Sequence, residues 1–168
     1  MEIRSPALQQ LFAHWALCTP SPYPRRAAFG LSDLRFVLGG MSLIEVYYEP
    51  LRFLYRSQGA EITAWLGFDL TGKFIEQCAN PRWAARTLEQ LRDVVITGAP
   101  AIAWHLDEMV GHQCWNIEAL VLPISRDGTN LDMLISAVER HRHDADKHGR
   151  LVAAPLPRKP AHATLRAP

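Results

Sequence analysis

The stretch at 51–76 constrains the fold of this chain most strongly, because it joins a strand pattern to helical segments too short to stand alone. Large apolar side chains alternate with other residues over 51–56, and this period of two predicts a strand with one buried face. Gly59 ends that strand, and the segment 61–66 has room for only one or two helical turns before Gly67 stops it. A strand that leads into short, glycine-bounded helices cannot bury its apolar face by itself. We therefore expect a larger sheet around it, in a domain of the α+β class.

Four further segments alternate as strands do, and one shows a helical period. The predicted strands are 42–49, 101–110, 112–124 and 131–137. Glu49-Pro50 joins the first of them to the strand at 51–56, which predicts a hairpin. Asn80-Pro81 begins the longest helix and Gly98 ends it. The apolar stripe of this helix consists of Ala84, Leu88, Leu91 and Val95.

A helix is also predicted near the N-terminus, where Ser5-Pro6 supplies a capping hydroxyl and a proline at the first helical position. Four large apolar side chains recur along it at helical spacing: Leu8, Leu11, Phe12 and Trp15. Leu120 and Leu122 make the second half of the strand at 112–124 apolar on both faces, so its outer face needs a cover. We expect the helix to cover that face in its own chain or in a second copy. Two-fold symmetry makes the second arrangement a homodimer, with these six residues at the interface.

One nucleotide-binding pattern is nearly complete but lacks an essential residue. Gly67, Gly72 and Lys73 fit the P-loop pattern GxxxxGK[ST], yet Phe74 stands where the magnesium-binding hydroxyl belongs. A P-loop also follows a buried parallel strand and opens a long helix. Here a short helix precedes the pattern, so we interpret it as a glycine-permitted turn.

Three short motifs occur in a fixed order along the chain. Residues 52–56 read Arg-Phe-Leu-Tyr-Arg and precede Gly59, and residues 67–73 read Gly-Phe-Asp-Leu-Thr-Gly-Lys. Residues 122–128 contain Leu-Pro-Ile-Ser followed by Asp-Gly. These resemble the FRYRxxG, GxDLTGR and LPLSxDG motifs of a bacterial stand-alone family of PAS domains, with Lys73 in place of the usual arginine. The resemblance extends from about Ala7 to Ala137.

The resemblance implies the PAS fold, a five-stranded antiparallel sheet with helices on one face and the N-terminal helix on the other. It also implies a sensory or regulatory domain that binds a small molecule or a protein partner and passes a signal to a downstream protein, without catalysis of its own. Haem-binding relatives carry a histidine in the long helix, and no histidine occurs at 81–98. Flavin-binding LOV relatives carry a reactive Asn-Cys-Arg motif, whereas Cys78 is followed by Ala79 and Asn80. We therefore expect neither haem nor covalent flavin chemistry.

The candidate ligand-binding residues are Tyr55, Arg56, Trp104 and Trp115. The three aromatic ones lie on three predicted strands, and we expect their inner faces to converge on an apolar cavity to which the rings offer a polar edge. The same rings are equally suited to filling a core, which would leave a ligand-free dimerisation scaffold. Arg56 belongs to the family motif, and its alternative role is a salt bridge to Glu45 or Glu49 on the neighbouring strand.

Two histidine-containing groups suggest other chemistry. His105 and Asp107 share a strand face, which is compatible with acid–base chemistry in a small α+β enzyme, but no nucleophile accompanies them. Three histidines, His141, His143 and His148, lie near the start of the C-terminal segment without a cysteine or a helical face to organise them. We interpret the first pair as a solvated face and expect no metal site.

Charge and composition divide the chain into unequal parts. Residues 140–168 hold seven Lys/Arg and two Asp/Glu, a net charge of +5, whereas 1–139 hold eleven and fifteen, a net charge of −4. We predict an N-terminal helix and linker at 1–24, a PAS-like domain at 25–139 and a basic, proline-rich flexible tail at 140–168. The total charge of +1 argues against a nucleic-acid surface over the whole protein, and the basic tail identifies neither nucleic acid nor membrane as a partner.

The cysteines and the apolar runs predict a location in the cell. Cys18, Cys78 and Cys114 are odd in number, widely spaced and outside any CxxC pair, which argues against a disulfide framework. The N-terminus shows no signal-peptide pattern, and no run reaches the roughly 20 apolar residues that span a bilayer. We therefore expect a cytoplasmic protein.

Overall fold

The computed structural model describes residues 2–18, 22–109 and 113–142, without the side chains of 106–109, 113–114 and 142. The described part contains three α-helices and five β-strands. In chain order they are α1 (Pro6–Leu17), β1 (Met41–Tyr48), β2 (Leu51–Gln58), α2 (Ala60–Leu66), α3 (Pro81–Thr97), β3 (Ala101–Met109), β4 (Gln113–Ile124) and β5 (Met133–Arg142).

The five strands form one antiparallel sheet with the order β2-β1-β5-β4-β3. The predicted hairpin of β1 and β2 is confirmed, with Val46 opposite Phe53 and Tyr48 opposite Leu51. The α+β class and the antiparallel sheet are confirmed as well.

Strand β5 begins and ends later than its apolar alternation predicted. It starts at Met133 rather than at residue 131, and its last residue is Arg142. Its polar end pairs with the first half of β4, with Arg140 opposite Ile117 and Arg142 opposite Trp115. Main-chain pairing therefore carries the strand three residues into the segment predicted as a tail. The rest of that segment, 143–168, lies outside the described residues.

Local capping chemistry sets the limits of the helices. The Ser5 hydroxyl accepts a hydrogen bond from the Leu8 amide at 3.3 Å, and the Asn80 side chain accepts one from the Trp83 amide at 3.1 Å. Gly67 and Gly98 end α2 and α3 at φ angles of 66° and 64°, a left-handed conformation that favours glycine.

The two faces of the sheet have separate apolar cores. On the inner face, α3 and the segment 68–78 pack against β1, β2 and β4 around Phe53, Tyr55 and Leu91. On the outer face, α1 packs against β4 and β5. The expected division, with helices on one face and the N-terminal helix on the other, is confirmed.

The segment between α1 and β1 also covers the outer face. Its buried members Phe29, Leu34 and Val37 belong to the same core as α1. Main-chain hydrogen bonds fasten its start to the end of β4: the Arg26 amide donates to the Ser125 carbonyl at 2.6 Å, and the Ser125 amide donates to the Pro24 carbonyl at 2.9 Å.

The Gly-Phe-Asp-Leu-Thr-Gly-Lys motif docks on β2. The Gly72 amide donates to the Tyr55 carbonyl at 2.8 Å, and the Tyr55 amide donates to the Lys73 carbonyl at 3.0 Å. The Asp69 carboxylate accepts from the Thr71 amide, which holds the pKa of this carboxyl below its ordinary value. Since the Gly72 amide is engaged by the Tyr55 carbonyl of β2, the motif here has a structural role rather than that of a phosphate loop.

Candidate functional site

A cleft opens on the inner face, between α2, α3 and the strands β3, β4 and β5. It has an outer cavity of about 140 Å³ beside α2 and a deeper cavity of about 30 Å³ beneath α3. Trp65 and Val138 line both cavities, so the two adjoin. The deep cavity has room for about one water molecule, whereas the outer one approaches the size of a cavity that binds benzene, about 150 Å³.

Tryptophan rings dominate the walls of this cleft. Trp65 comes from α2, Trp83 from α3 and Trp115 from β4, and the three belong to or pack on one apolar cluster. The Arg140 guanidinium lies 5.3 Å from the centre of the Trp115 ring and 5.8 Å from that of Trp65. A cation over two rings combines an apolar wall with a positive mouth, an arrangement suited to a flat molecule with a polar edge.

Polar groups near the cleft differ in whether they have hydrogen-bond partners. The Gln90 amide donates to the Ala119 carbonyl at 2.9 Å and to the Ala101 carbonyl at 3.4 Å, which ties α3 to the sheet. The Ser42 hydroxyl is buried, with no hydrogen-bond partner among the described residues. Ser42 lies directly opposite Ser136, which lines the deep cavity. The inner face therefore holds an unused hydroxyl beside the cleft.

Glu139, Tyr55 and Cys78 have raised pKa values. Burial, followed by the nearby Glu61, raises the pKa of the Glu139 carboxyl at the cleft mouth. Burial also raises the pKa of the Tyr55 phenol, with a smaller contribution from Cys78, so that Tyr55 stays protonated at neutral pH. The Cys78 thiol has a pKa raised by burial, which is opposite to the shift that activates a nucleophilic thiol.

Of the four predicted ligand-binding residues, the structure brings only Trp115 to the cleft wall. Tyr55 is on the inner face as predicted, but it is 1% exposed and lies in the core beside Phe53. Arg56 points away from the cleft and forms a salt bridge with Glu45 at 2.7 Å, which was its alternative role. The ligand-binding role of these residues stays a prediction.

Trp104 lies on the opposite face from Trp115, so the predicted convergence of the three rings is wrong. It stands opposite Glu118 in the sheet, whereas Trp115 stands opposite Asp107, and three residues separate the two positions on β3. An odd separation places side chains on opposite faces of a strand. Trp104 stacks on His141 with ring centres 6.0 Å apart, and the Arg4 guanidinium lies 4.7 Å from its ring.

Trp65 and Trp83 were not among the predicted site residues, because they lie on helices and the predicted ring positions lie on strands. A helical signal for one of them exists: Trp83, Thr87, Gln90 and Val94 are spaced by four, three and four residues on α3. This stripe borders the one predicted from Ala84 to Val95, and its first three members line the deep cavity.

The acid–base alternative cannot be built from the described side chains. His105 lines the deep cavity, but the side chain of Asp107 is outside the described residues.

Among the residues that are described, there is no group of three or more His, Cys, Asp or Glu side chains able to hold a metal ion. His143 and His148 fall outside that part of the chain. None of the helices in the described ranges is long and apolar enough to cross a membrane.

The residues predicted for a dimer interface pack within the single chain. Leu8, Leu11, Leu120 and Leu122 are fully buried in the outer core, Trp15 is 9% exposed, and Phe12 is partly buried against them. Helix α1 thus covers the sheet of its own chain. A homodimer stays a prediction, and one through these side chains requires α1 to leave this sheet.

A buried carboxylate fastens the start of α1 to the sheet. Glu118 is 0% exposed, and its two oxygens accept hydrogen bonds from the amides of Arg4 at 2.7 Å and Ser5 at 2.9 Å. His141 Nε2 lies 3.3 Å from the same carboxylate. Further along the helix, the Trp15 indole donates to the Pro123 carbonyl at 2.7 Å. Polar contacts therefore hold both ends of α1 in register on β4.

Comparisons with known proteins find one family and several solved structures that are similar to this chain. The model of a family described as PAS domain matches residues 3–160. A solved variant of the LOV protein RsLOV is similar with a TM-score of 0.41 and 10% identity, over 83% of this chain and 72% of that one. A sensory box sensor histidine kinase from Vibrio cholerae is similar with a TM-score of 0.44 and 19% identity, over 67% of this chain and 90% of that one. No curated protein matches the sequence. Since the family match spans nearly the whole chain, this protein belongs to the PAS-domain family.

Proposed function

We propose that this chain is a sensory PAS module that binds a small molecule in the inner-face cleft and passes the signal to another protein, without catalysing a reaction. The observation that carries the proposal is the cleft wall, where Trp65 and Trp115 lie beneath the Arg140 guanidinium. Ligand sites commonly combine aromatic walls with a few convergent polar groups, and the outer cavity combines these two rings with Glu61, Glu139 and Arg140.

The cleft also restricts the chemistry of the ligand. A cavity of about 140 Å³, slightly smaller than one that binds benzene, suits a molecule with a single ring rather than a large cofactor. Stacking on the tryptophans requires a flat apolar body, and Arg140 with Glu61 and Glu139 at the mouth favours a polar edge.

The second candidate is a ligand-free dimerisation scaffold, which the small volume of the deep cavity favours. Only about 30 Å³ is open beneath α3, so tryptophan side chains nearly fill that part of the domain. In this alternative, α1 exchanges between two copies and the outer face of the sheet becomes the interface. Both candidates need a partner for output, either a second copy or a downstream signalling protein.

Native mass spectrometry of freshly purified protein tests both candidates, because it reports bound small molecules and oligomeric state together. We expect a bound molecule in the parent protein and its loss from Trp115→Ala, which removes a cleft wall. Arg92→Ala is the matched control, since Arg92 is exposed on α3 and lines neither cavity. We also expect no haem or flavin absorption in the visible spectrum of the purified protein.

Two results would redirect the interpretation. If parent, Trp115→Ala and Arg92→Ala all retain the same molecule, the ligand is held elsewhere. A dimer with no retained molecule, and no binding in a fragment screen, would replace the sensory proposal with the scaffold.

A further inference from the structure

A second pocket lies on the other side of the sheet. It has a volume of about 200 Å³ and opens between the segment before β1 and the outer faces of β1, β2 and β5. Leu43 and Ile135 form its floor on the sheet, and Phe29 and Leu34 cover them from the preceding segment. The sheet separates this pocket from the inner-face cleft, and the two share no lining residue.

The lining of the pocket is mainly apolar. Arg26 is the one charged side chain among its lining residues, all of which are described. Its Nη1 donates to the Phe29 carbonyl at 2.8 Å, so the half-buried guanidinium is held at the wall while its other N–H groups remain available to a ligand. Leu31, also in the lining, is 66% exposed, which leaves an apolar side chain at the entrance.

The Gln58 side chain is engaged on the inner side of the sheet. Gln58 pairs with the inner-face Ser42 on β1, and its Nε2 donates to the Thr63 hydroxyl of α2 at 3.0 Å and to the Phe68 carbonyl at 2.8 Å. Arg26 is therefore the side chain through which the outer pocket would bind a polar group.

We propose that this outer pocket binds a compact apolar carboxylic acid of about the size of a hydroxybenzoate. The carboxylate pairs with Arg26, because a guanidinium offers two parallel N–H donors to that group. The apolar body packs on Phe29, Leu34 and Leu43. A cavity of about 150 Å³ binds benzene, so about 200 Å³ suits a substituted ring.

The test follows methyl resonances of isotopically labelled protein while 3- or 4-hydroxybenzoate is added. We expect one of the two acids to shift the methyl signals of Leu34, Leu38 and Leu43 and to leave Ile62 and Ile117, at the inner cleft, in place. The corresponding hydroxybenzyl alcohol has the same ring and ring hydroxyl but no charge, and we expect it to bind at least about fivefold more weakly.

Two adjacent arginines give a matched pair of variants. Arg26→Gln removes the charge from the lining, and we expect it to weaken hydroxybenzoate binding at least about fivefold while the alcohol binds as in the parent. Arg25→Gln alters an exposed neighbour outside the lining and should bind the acid like the parent. If Arg26→Gln perturbs the fold, Leu38→Phe tests the site by filling it, and binding of the acid should be lost.

Several outcomes would overturn the inference. Shifts confined to the inner cleft would place the acid there. Equal binding of acid and alcohol, equal effects of the two arginine variants, or no shift with either acid would each remove the outer site. These readouts are independent of the molecule retained in the inner cleft, so the two proposals can fail separately.

Discussion

Helix α1 covers the outer face of the sheet with fully or largely buried side chains, whereas α2 and α3 present partly buried tryptophan rings to the inner face at the cleft. Beneath α1, Leu8, Leu11, Leu120 and Leu122 are fully buried. At the cleft, Trp83 and Trp115 are only partly buried, and cavities remain between the helices and the strands. The first arrangement contributes stability and the second leaves room for a ligand.

The two regions also differ in how completely their polar groups are hydrogen-bonded. Beneath α1, the Glu118 carboxylate accepts two main-chain hydrogen bonds, and the Trp15 indole donates to a carbonyl. On the inner face, the Ser42 hydroxyl is buried without a partner among the described residues. A region whose polar groups are paired resists change, whereas a region with an unused donor gains from binding. The comparison predicts that mutations beneath α1 affect stability and those at the cleft affect binding.

The largest expected effect comes from opening a cavity beneath α1. Leu11→Ala removes a fully buried side chain and should lower the free energy of unfolding by about 2–5 kcal/mol. Leu17→Ala, at an 86% exposed position of the same helix, should change it little. Urea denaturation of the two variants measures the difference, and equal losses would show that α1 does not stay on the sheet in solution.

A smaller loss should follow from neutralising the buried carboxylate. Glu118→Gln keeps one acceptor oxygen but turns an NH₂ group toward a main-chain donor, and we expect a loss of about 1.5–3 kcal/mol. Hydrogen exchange should accelerate over residues 4–17 while α3 keeps its protection. Glu89→Gln, at an exposed position of α3, is the control. Unchanged exchange in α1 would mean that apolar packing alone holds the helix.

On the inner side, Gln90 is the polar tie between α3 and the sheet. Gln90→Met keeps the volume roughly constant but removes the hydrogen bonds to the Ala119 and Ala101 carbonyls, and should cost about 1 kcal/mol. Arg92→Gln, two residues further along and on the exposed side of α3, should cost less. A loss as large as that of Leu11→Ala would contradict the division between a stabilising contact beneath α1 and a permissive inner cleft.

The smallest effect concerns the pH dependence of stability at the cleft mouth. Burial raises the pKa of Glu139 in the folded chain, so between its ordinary pKa and the raised one the folded state binds more protons than the unfolded state. This carboxyl therefore stabilises the fold at low pH, and its contribution is lost as pH rises through that window. Glu139→Gln should be slightly more stable than the parent at pH 7 and indistinguishable from it near pH 4.

Melting temperatures across pH 4–8 give this comparison directly. Exposed Glu76, replaced by Gln, serves as the control for removing a carboxylate elsewhere. A variant whose difference from the parent is the same at every pH would show that Glu139 does not titrate abnormally.

The sequence by itself determined most of the secondary structure and which faces are apolar. Hairpin β1–β2 and helix α3 follow from signals only a few residues apart, such as the Asn80 cap and the left-handed Gly98. The apolar stripe of α1 and the outer-face Leu120 and Leu122 also predicted a cover for that face. Local hydrogen bonding and side-chain periodicity suffice for such features, because they do not depend on distant partners.

Only the tertiary structure decided which side chains share a site. The period of a strand says that alternate residues share a face, but not which face of β3 joins which face of β4. A shift of one residue in register would exchange the two faces. The observed pairing of β3 with β4 places Trp104 and Trp115 on opposite sides of the sheet. Trp65 and Trp83 reach the cleft from two helices, and Glu118 meets Arg4 and Ser5 across more than 110 residues. Those meetings depend on long-range packing, which no local pattern in the chain specifies.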